Sequence, residues 1–469
     1  MFTTRRRRST LVFTLIVVGL VAAFAIGWLA ANSATDPLGK AKPRPPGAMQ
    51  SDQITVVTQP TPSALNAGFD AERVWGDRND WEPAIAVDRN LSYVYQLTTR
   101  YDGPEPCNRC AGPWIIFRRS SDGGATWQTD KFLTPYRKSH NDPEIEVAND
   151  GVIYAAWLND YVPGVRFVKS ANRGDTWSTP IAITTKAGKP SWSDKPILAI
   201  SPSGKDVYIA FNASDAYVAV SHDYGATFSK PIKTNNDTRY WFHSGGAVAP
   251  NGTVYFAATD YSQDYTGPAH VNIVKSTNGG QTWITQRIDT SQQVPPCAWS
   301  SGCYLGFLGP SAALAIDKAG KIMIAYNAGD VAGQPQKTWV RTSTDGTTWS
   351  ARQEIGATGV NNAFPALAAG PVAGDFRVAW QDDRLGSTDV PHAWNTWYRS
   401  TTNSGDAWST PVRLSDLGSG APYKNPNGYA FPYGDYFEIA VDSGGTAHVL
   451  WGEGTSFNGP GGTWYTRGK

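Results

Sequence analysis

An eight-residue pattern that recurs along the chain limits the possible folds more than any other feature. The copies read SSDGGATW, SANRGDTW, SHDYGATF and STNGGQTW, with two poorer forms, STDGTTW and TTNSGDAW. Each copy, called an octet below, carries Asp or Asn at its third position. These positions are Asp122, Asn172, Asp223, Asn278, Asp345 and Asn403. They are separated by about 50 to 67 residues, a spacing typical of propeller blades.

The composition of the octets is that of a tight turn. An Asp or Asn side chain accepts backbone N–H groups across such a turn, and glycine adopts the positive φ that other residues resist. The terminal Trp or Phe is a large apolar group that can wedge between neighbouring sheets. We therefore interpret the octets as structural turns without chemistry of their own.

Seven hairpin patterns alternate with the octets. Each consists of a short apolar strand, a turn containing Gly or Asn, and a second strand rich in Val, Ile, Tyr and Trp. They begin at Trp81, Asp142, Asp194, Ser244, Gly309, Phe364 and Gly434. With one strand before each octet and one after it, every unit that contains an octet has four strands. The sequence thus predicts an all-β fold, a propeller of seven four-stranded blades, with six blades as the alternative.

The last unit lacks a fourth strand before the chain reaches Lys469. The segment Ile54–Thr58 precedes the first hairpin and is predicted to supply that strand. A ring closed by strands from both ends of the chain has protected sheet edges, as propellers require.

The N-terminal region predicts export from the cytoplasm. An almost wholly apolar run at residues 11–31 is long enough to span a bilayer, and the arginines at positions 5–8 place its N-terminal end in the cytoplasm. We predict a cytoplasmic basic segment at 1–10, a transmembrane helix at 11–31, a Pro-rich stalk at 32–52 and an extracytoplasmic propeller at 53–469. The alternative is a cleaved signal peptide and a secreted protein.

Two cysteine pairs agree with export. Cys107 and Cys110 form a CxxC motif, and Cys297 and Cys303 lie close together further along. Outside the cytoplasm, this spacing favours two local disulfides, with a four-cysteine metal site or free thiols as alternatives. The net charge of +1 gives no electrostatic argument for nucleic-acid binding.

The order of strands predicts where ligands bind. The octets all lie on one face of the ring, and the starts of the first strands and the ends of the second strands lie on the other, near the axis. Polar residues at these positions are expected to gather into a funnel. Paired carboxylates there suit glycoside hydrolysis and equally suit Ca²⁺. The candidates chosen for substrate binding are Asp80, Glu82, Arg100, His243, Arg384 and Asp435.

The octet resembles the Asp box, or bacterial neuraminidase repeat, of sialidases and related propellers. The resemblance implies an exo-glycosidase with no metal in the chemical step. It also implies three arginines that clamp a carboxylate, a Tyr nucleophile assisted by a Glu, and an Asp acid/base, all on the face opposite the boxes. Where sialidases carry Arg-Ile-Pro at the first inner strand, this chain has Trp81-Glu82-Pro83.

By position we predict Asp142 as the acid/base, Tyr436 as the nucleophile, and Arg100 and Arg384 as anion clamps. The predicted protein binds or hydrolyses glycans and requires no cofactor, with Ca²⁺ binding as an alternative. A non-catalytic module that binds or assembles partners at the cell surface is the second functional hypothesis.

Overall fold

The structure is a computed structural model. It describes residues 67–76, 78–134, 138–159, 165–183, 194–213, 215–263, 267–295, 309–385, 393–415, 421–422, 437–454 and 461–469. The predicted basic segment, transmembrane helix and stalk lie outside these residues, as does Ile54–Thr58. The part of the chain that is described contains no helix long and apolar enough to cross a membrane.

The described residues form twenty-nine strands, and in most sheets the outermost strand is the shortest. In chain order they are β1 (Arg73–Trp75), β2 (Asp80–Val87), β3 (Val94–Arg100), β4 (Trp114–Ser120), β5 (Lys131–Phe132), β6 (His140–Val147), β7 (Ile153–Asn159), β8 (Val165–Ser170), β9 (Ile181–Ile183), β10 (Asp194–Ile200), β11 (Val207–Ala213), β12 (Asp215–Ser221), β13 (Ile232–Lys233), β14 (Tyr240–Val248), β15 (Val254–Tyr261), β16 (Ala269–Ser276), β17 (Ile284–Ser291), β18 (Ala312–Ile316), β19 (Ile322–Ala328), β20 (Lys337–Ser343), β21 (Gln353–Glu354), β22 (Asn362–Ala369), β23 (Phe376–Asp382), β24 (Ala393–Thr401), β25 (Val412–Arg413), β26 (Ala421–Pro422), β27 (Glu438–Val441), β28 (Ala447–Gly454) and β29 (Gly461–Gly468).

These strands form seven antiparallel sheets, which confirms the prediction of seven blades over six. Six blades are consecutive in the chain: β2–β5, β6–β9, β10–β13, β14–β17, β18–β21 and β22–β25, with β26 paired to β24. The seventh blade has the order β27, β28, β29, β1. In every blade the first strand lies innermost, and neighbouring first strands contact one another around a central channel.

The ring closes through a strand from the N-terminal side, at a different place from the one predicted. Strand β1, rather than Ile54–Thr58, supplies the outer strand of the seventh blade, with Arg73 opposite Tyr465 and Trp75 opposite Thr463. Just before β1, Phe69 bridges to Gly468. Closure thus joins residues almost 400 positions apart and protects the edge of β29.

Each octet connects the third and fourth strands of its blade, so all six lie on one face, called the lower face here. In the first octet, the Ser120 hydroxyl donates to Asp122 Oδ1 at 2.7 Å. That hydroxyl accepts the Gly124 N–H at 2.8 Å, and Asp122 accepts the Thr126 N–H at 2.8 Å. The same three bonds recur in the other five octets. This bonding confirms their interpretation as turns.

The aromatic residue that ends an octet packs on the third strand of the preceding blade. The ring of Trp177 lies 5.3 Å from that of Phe117, and the ring of Phe228 lies 4.9 Å from that of Phe167. Across the closure, the ring of Trp127 lies 5.0 Å from that of Tyr465. These contacts confirm that the octet aromatics wedge between neighbouring sheets.

The glycine at the fifth position of an octet is essential for this packing. At Gly225 the backbone has φ +70°, and a Cβ placed there would lie 2.6 Å from Cζ of Phe167. Such a distance is too short for any real Cβ, so a side chain would push the two blades apart. The glycine is needed both for the backbone conformation and for the close approach of the preceding blade.

We expect Gly225→Ala to destabilise the protein more than Gly252→Ala. Gly252 has a similar φ of +82°, but a Cβ placed there would meet no atom within 4 Å, so it isolates the cost of φ alone. That cost is about 1 kcal/mol, and crowding against Phe167 adds about 1–3 kcal/mol. Urea unfolding of both variants measures the difference. Equal losses would show that the blades do not depend on this contact.

Candidate functional site

The central channel opens on the face opposite the octets, called the upper mouth below. The cavity under this mouth has a volume of about 150 Å³. Asp142, Ser244, Ser311, Phe364 and Phe437 are among its lining residues. A wider vestibule of about 630 Å³ opens towards the lower face between the turns that join first and second strands. The channel thus brings residues from separate blades to one accessible space.

Irregular starts of the first strands direct side chains at the upper mouth. The pairing of first and second strands shifts register between Trp81 and Ala84 and again between Asn141 and Glu144. Similar shifts occur in β10, β14 and β22. Such bulges re-aim side chains and are common next to functional sites.

Three of these irregular positions hold non-glycine residues at positive φ. The φ values are 54° at Glu82, 50° at Asp142 and 50° at Phe364. In each case a proline follows directly in the sequence. This conformation costs free energy and persists only where the surrounding structure fixes it, most often at binding and catalytic sites. Glu82 and Asp142 were both predicted as site residues.

A hydrogen-bonded cluster joins the first two blades at the mouth. The Tyr101 hydroxyl donates to Glu82 Oε1 at 3.2 Å, and the Asp142 N–H donates to Glu82 Oε2 at 3.0 Å. The Asn141 amide donates to the Tyr101 hydroxyl oxygen at 3.3 Å. Glu82 is 4% exposed and Asp142 is 7% exposed. The structure thus brings together two predicted acidic residues and a tyrosine.

Sequence reasoning missed Tyr101. It follows Arg100 directly at the end of β3, which is a position of the predicted funnel. The sequence analysis selected the adjacent Arg100 as an anion clamp and did not consider Tyr101. The available signal was an aromatic hydroxyl at a strand end opposite a carboxylate.

An aromatic side chain packs against this cluster. Trp81 lies 5.4 Å from Tyr101, measured between ring centroids. Trp81 belongs to one apolar cluster that also includes Tyr240, Phe364 and Phe437. Flat aromatic surfaces beside a few polar groups are the usual composition of a ligand pocket.

Arg100, predicted as an anion clamp, is bound to carboxylates within its own blade. Its guanidinium donates twice to Asp80, at 2.7 Å in both bonds, and once to Asp130 at 2.7 Å. Arg118 donates to the same two carboxylates and to Thr463 in the seventh blade. Asp80 is 0% exposed, so it supports this network and is out of reach of a ligand. An anion at Arg100 would have to compete with two aspartates.

Arg384, the second predicted clamp, is also ion-paired. Its guanidinium donates to Asp382 at 2.6 Å and lies 3.7 Å from the centre of the Trp397 ring. This arrangement satisfies its charge within the sixth blade. The sequence position of Arg384 could not reveal this ion pair. Asp382, Asp383 and Arg384 are adjacent, and all three were expected to face the funnel.

His243 lies inside the protein rather than in the mouth, where it was predicted. It is 0% exposed. Burial lowers the pKa of His243 to about 3, so it is neutral at physiological pH. The bulge between His243 and Gly245 turns its ring towards Phe256, 5.4 Å away. The other predicted site residues, Asp435 and Tyr436, lie outside the described residues.

The cysteine pair predicted in the first blade is joined: the structure contains a Cys107–Cys110 disulfide with an S–S distance of 2.04 Å. Cys297 and Cys303 lie outside the described residues. Within the described ranges no group of three or more His, Cys, Asp or Glu residues could hold a metal ion. Calcium binding stays a prediction.

Three glutamates lie in the channel below the mouth. Glu144 and Glu146 come from the second blade and Glu438 from the seventh, and Glu438 Oε2 accepts the Ile85 N–H of the first blade at 2.7 Å. The carboxyl groups of Glu144 and Glu438 are hydrogen-bonded to each other. Two carboxyls can share such a bond only if one holds a proton.

Burial is the main reason why these groups hold protons. It raises the pKa of Glu438 to about 7 and that of Glu146 to about 7. Burial and then the charge of Glu438 raise the pKa of Glu144 well above its ordinary value. The folded state therefore binds more protons than the unfolded state does between the ordinary pKa of 4.5 and about 7.

We expect the free energy of unfolding to fall by roughly 2 kcal/mol between pH 5 and pH 8. The stabilisation by the raised carboxyl pKa values is complete below pH 4.5 and is lost as the pH rises through about 7. Glu144→Gln should reduce this loss, because its amide donates to Glu438 at either pH. Urea unfolding at both pH values measures it. Glu105→Gln, at an exposed position, is the control and should behave as wild type.

The described blades define a seven-bladed β-propeller with a polar and aromatic cluster at one mouth of its channel. No model of a protein family and no curated protein matches the sequence. Solved structures do match its fold. An ulvan lyase of the polysaccharide lyase family PL25, bound to a GlcA(1-4)Rha3S unit, is 12% identical with a TM-score of 0.50, covering 83% of this chain and 95% of its own.

Two further matches are more distant in structure. A Hadza microbial sialidase is 17% identical with a TM-score of 0.42, covering 84% of this chain and 68% of its own. A leech intramolecular trans-sialidase is 13% identical with a TM-score of 0.43, covering 82% of this chain and 66% of its own. At such identities a structural match speaks for the fold alone. The match to the lyase agrees with the predicted propeller.

Proposed function

We propose that this chain is an extracytoplasmic, membrane-anchored propeller that binds or hydrolyses glycans at its upper mouth, in the manner of an exo-glycosidase. The observation that carries the proposal is the cluster of Glu82, Tyr101 and Asp142. It combines two carboxyl groups, a phenol and two strained backbone positions beside a cavity. Paired carboxyl groups, and in some enzymes a phenol, are the groups that glycoside hydrolysis uses.

The roles within the cluster follow from its hydrogen bonds. A carboxylate that accepts the proton of the Tyr101 hydroxyl would make the phenolic oxygen a nucleophile, and Glu82 is placed to do so. Asp142 would protonate the leaving oxygen and later activate water, which is the role that its position predicted. Tyr436 is the alternative nucleophile, and mutation separates the two tyrosines.

The place where the N-terminal part of the chain joins the ring supports the proposal that the protein is anchored to a membrane. Phe69 bridges to Gly468 at the lower end of β29, so the N-terminal segment reaches the ring on the octet face. A stalk that arrives there would leave the upper mouth directed away from the membrane. A glycan in the surroundings of the cell could then reach the mouth.

A non-catalytic glycan-binding module is the second candidate. Its support is the pairing of Arg100 and Arg384 with aspartates, together with Trp81-Glu82-Pro83 in place of an arginine motif. A sialidase needs free arginines to clamp its substrate carboxylate. A binding module requires only the polar and aromatic surfaces of the mouth.

Hydrolysis of a panel of aryl glycosides and oligosaccharides by the purified ectodomain tests the catalytic proposal. We expect Tyr101→Phe and Asp142→Asn each to lower kcat/KM by about 10²–10⁴. The matched controls are Tyr224→Phe and Asp175→Asn, which make the same changes at exposed lower-face positions and should leave turnover unchanged. Tyr436→Phe tests the alternative nucleophile.

Turnover that survives both Tyr101→Phe and Asp142→Asn would reject this assignment. If wild type hydrolyses nothing but binds glycans on an array, with binding lost in Asp142→Asn, the module is supported instead. If wild type shows no turnover and also binds no glycan, both proposals are wrong.

A further inference from the structure

The two cysteines of the CxxC motif differ sharply in exposure. Cys107 is exposed to solvent, whereas Cys110 is 1% exposed. Both lie in the connection from β3 to β4, which crosses the upper face of the first blade. An external thiol can therefore approach one sulfur of the disulfide and is kept away from the other.

The covalent ring closed by this disulfide is small, because the cysteines are only three positions apart. In the chain-entropy model a disulfide stabilises a protein less as its loop becomes shorter. The connection also makes few packing contacts that the disulfide could stabilise. Residues 102–105 and 107–109 are exposed, and residue 106 between them is half-buried. Because this disulfide contributes little to stability, it can be reduced and formed again without unfolding the protein.

Hydrogen bonds hold the loop shape independently of the sulfurs. The Cys110 N–H donates to the Cys107 carbonyl at 3.1 Å, and the Trp114 indole donates to the Cys110 carbonyl at 3.3 Å. At the other end, Asp102 accepts the Asn79 N–H at 3.0 Å. These bonds would keep the two sulfurs near each other after reduction, so that the disulfide can form again.

We propose that Cys107–Cys110 is a thiol–disulfide exchange site at which external thiol reductants attack Cys107. A reductant thiolate attacks the sulfur of Cys107, the S–S bond breaks, and Cys110 leaves as a thiolate that takes a proton from water. A second reductant thiol attacks the mixed disulfide and releases Cys107 as a thiol. Two electrons reach the protein, and the two reductant thiols leave joined as a disulfide.

This site is continuous with the upper mouth. The connection that carries the disulfide begins at Tyr101, which donates to Glu82, and returns to the sheet at Trp114. Reduction would leave a free thiol at the exposed Cys107, in the connection next to the mouth cluster. That consequence rests on the proposed glycan function, whereas the exchange reaction does not.

Glutathione is the probe for the exchange reaction. In a Cys297→Ser/Cys303→Ser background, the folded protein is incubated with mixtures of glutathione and glutathione disulfide, and free thiols are counted by mass after maleimide capture. We expect reduction without denaturant and reoxidation when the mixture is reversed. Reduction that occurs only in denaturant would overturn the proposal.

Single-cysteine variants locate the attacked sulfur. With glutathione disulfide, Cys110→Ser, which retains the exposed Cys107, should form a mixed disulfide at least tenfold faster than Cys107→Ser. Circular dichroism checks that both are folded. If either is not, peptide mapping of the intermediate trapped in the parent protein replaces the comparison, and glutathione is expected on Cys107. Equal rates, or glutathione on Cys110, would contradict the assignment.

Glycan binding by the reduced and oxidised protein is measured separately. Exchange without any change in glycan binding would leave the redox site standing and remove only its link to the mouth. Loss of the glycan function in both forms would refute the proposed function and leave the exchange reaction intact.

Discussion

The packing of each octet against the preceding blade is the contact on which the rest of the structure depends. The octet presents a glycine with positive φ and an aromatic ring to the third strand of its neighbour, as Gly225 and Phe228 do to Phe167. A four-stranded sheet cannot bury both of its faces alone, so it needs a neighbour on each side. The octet fixes how closely that neighbour approaches and thereby the curvature of the ring. The last blade has no octet of its own. At its contact with the sixth blade, Phe69, which precedes β1, takes the place of the octet aromatic, with its ring 4.8 Å from that of Tyr398.

The sequence allowed most of this fold to be predicted because its signals are local and repeated. The octet spacing and the seven hairpins specified the blades, and the order of strands specified which face the octets occupy. The closing strand was placed wrongly because β1 has only three residues and exposes two of them, Arg73 and Val74. A strand so short carries no periodic pattern. Its pairing is decided by the partner edge of β29, which lies at the far end of the chain.

The candidate site was only partly predictable, since it depends on contacts between blades. Glu82 and Asp142 were found because they lie at the starts of first strands, and their hydrogen bond follows from the bulges that both strands share. Whether an arginine is free or ion-paired cannot be inferred from its strand position. Arg100 meets Asp130, thirty positions later, and this pairing depends on how the outer strand of the blade folds back. The prediction that His243 lies in the mouth was wrong for a related reason, because a single bulge determines which face of the sheet a side chain occupies.

The internal charge pairing of the mouth limits how it can recognise a ligand. Arg100 and Arg384 are already bound to aspartates, and Glu82 accepts bonds from Tyr101 and from the backbone of Asp142. Breaking a buried ion pair to bind an anion leaves a carboxylate without its partner, which costs several kcal/mol. For the described residues, binding a ligand by hydrogen bonds and aromatic contact therefore costs less free energy than binding it by charge. A sugar ring offers both of these, through its hydroxyl groups and its apolar C–H face, whereas a small inorganic anion has no apolar face.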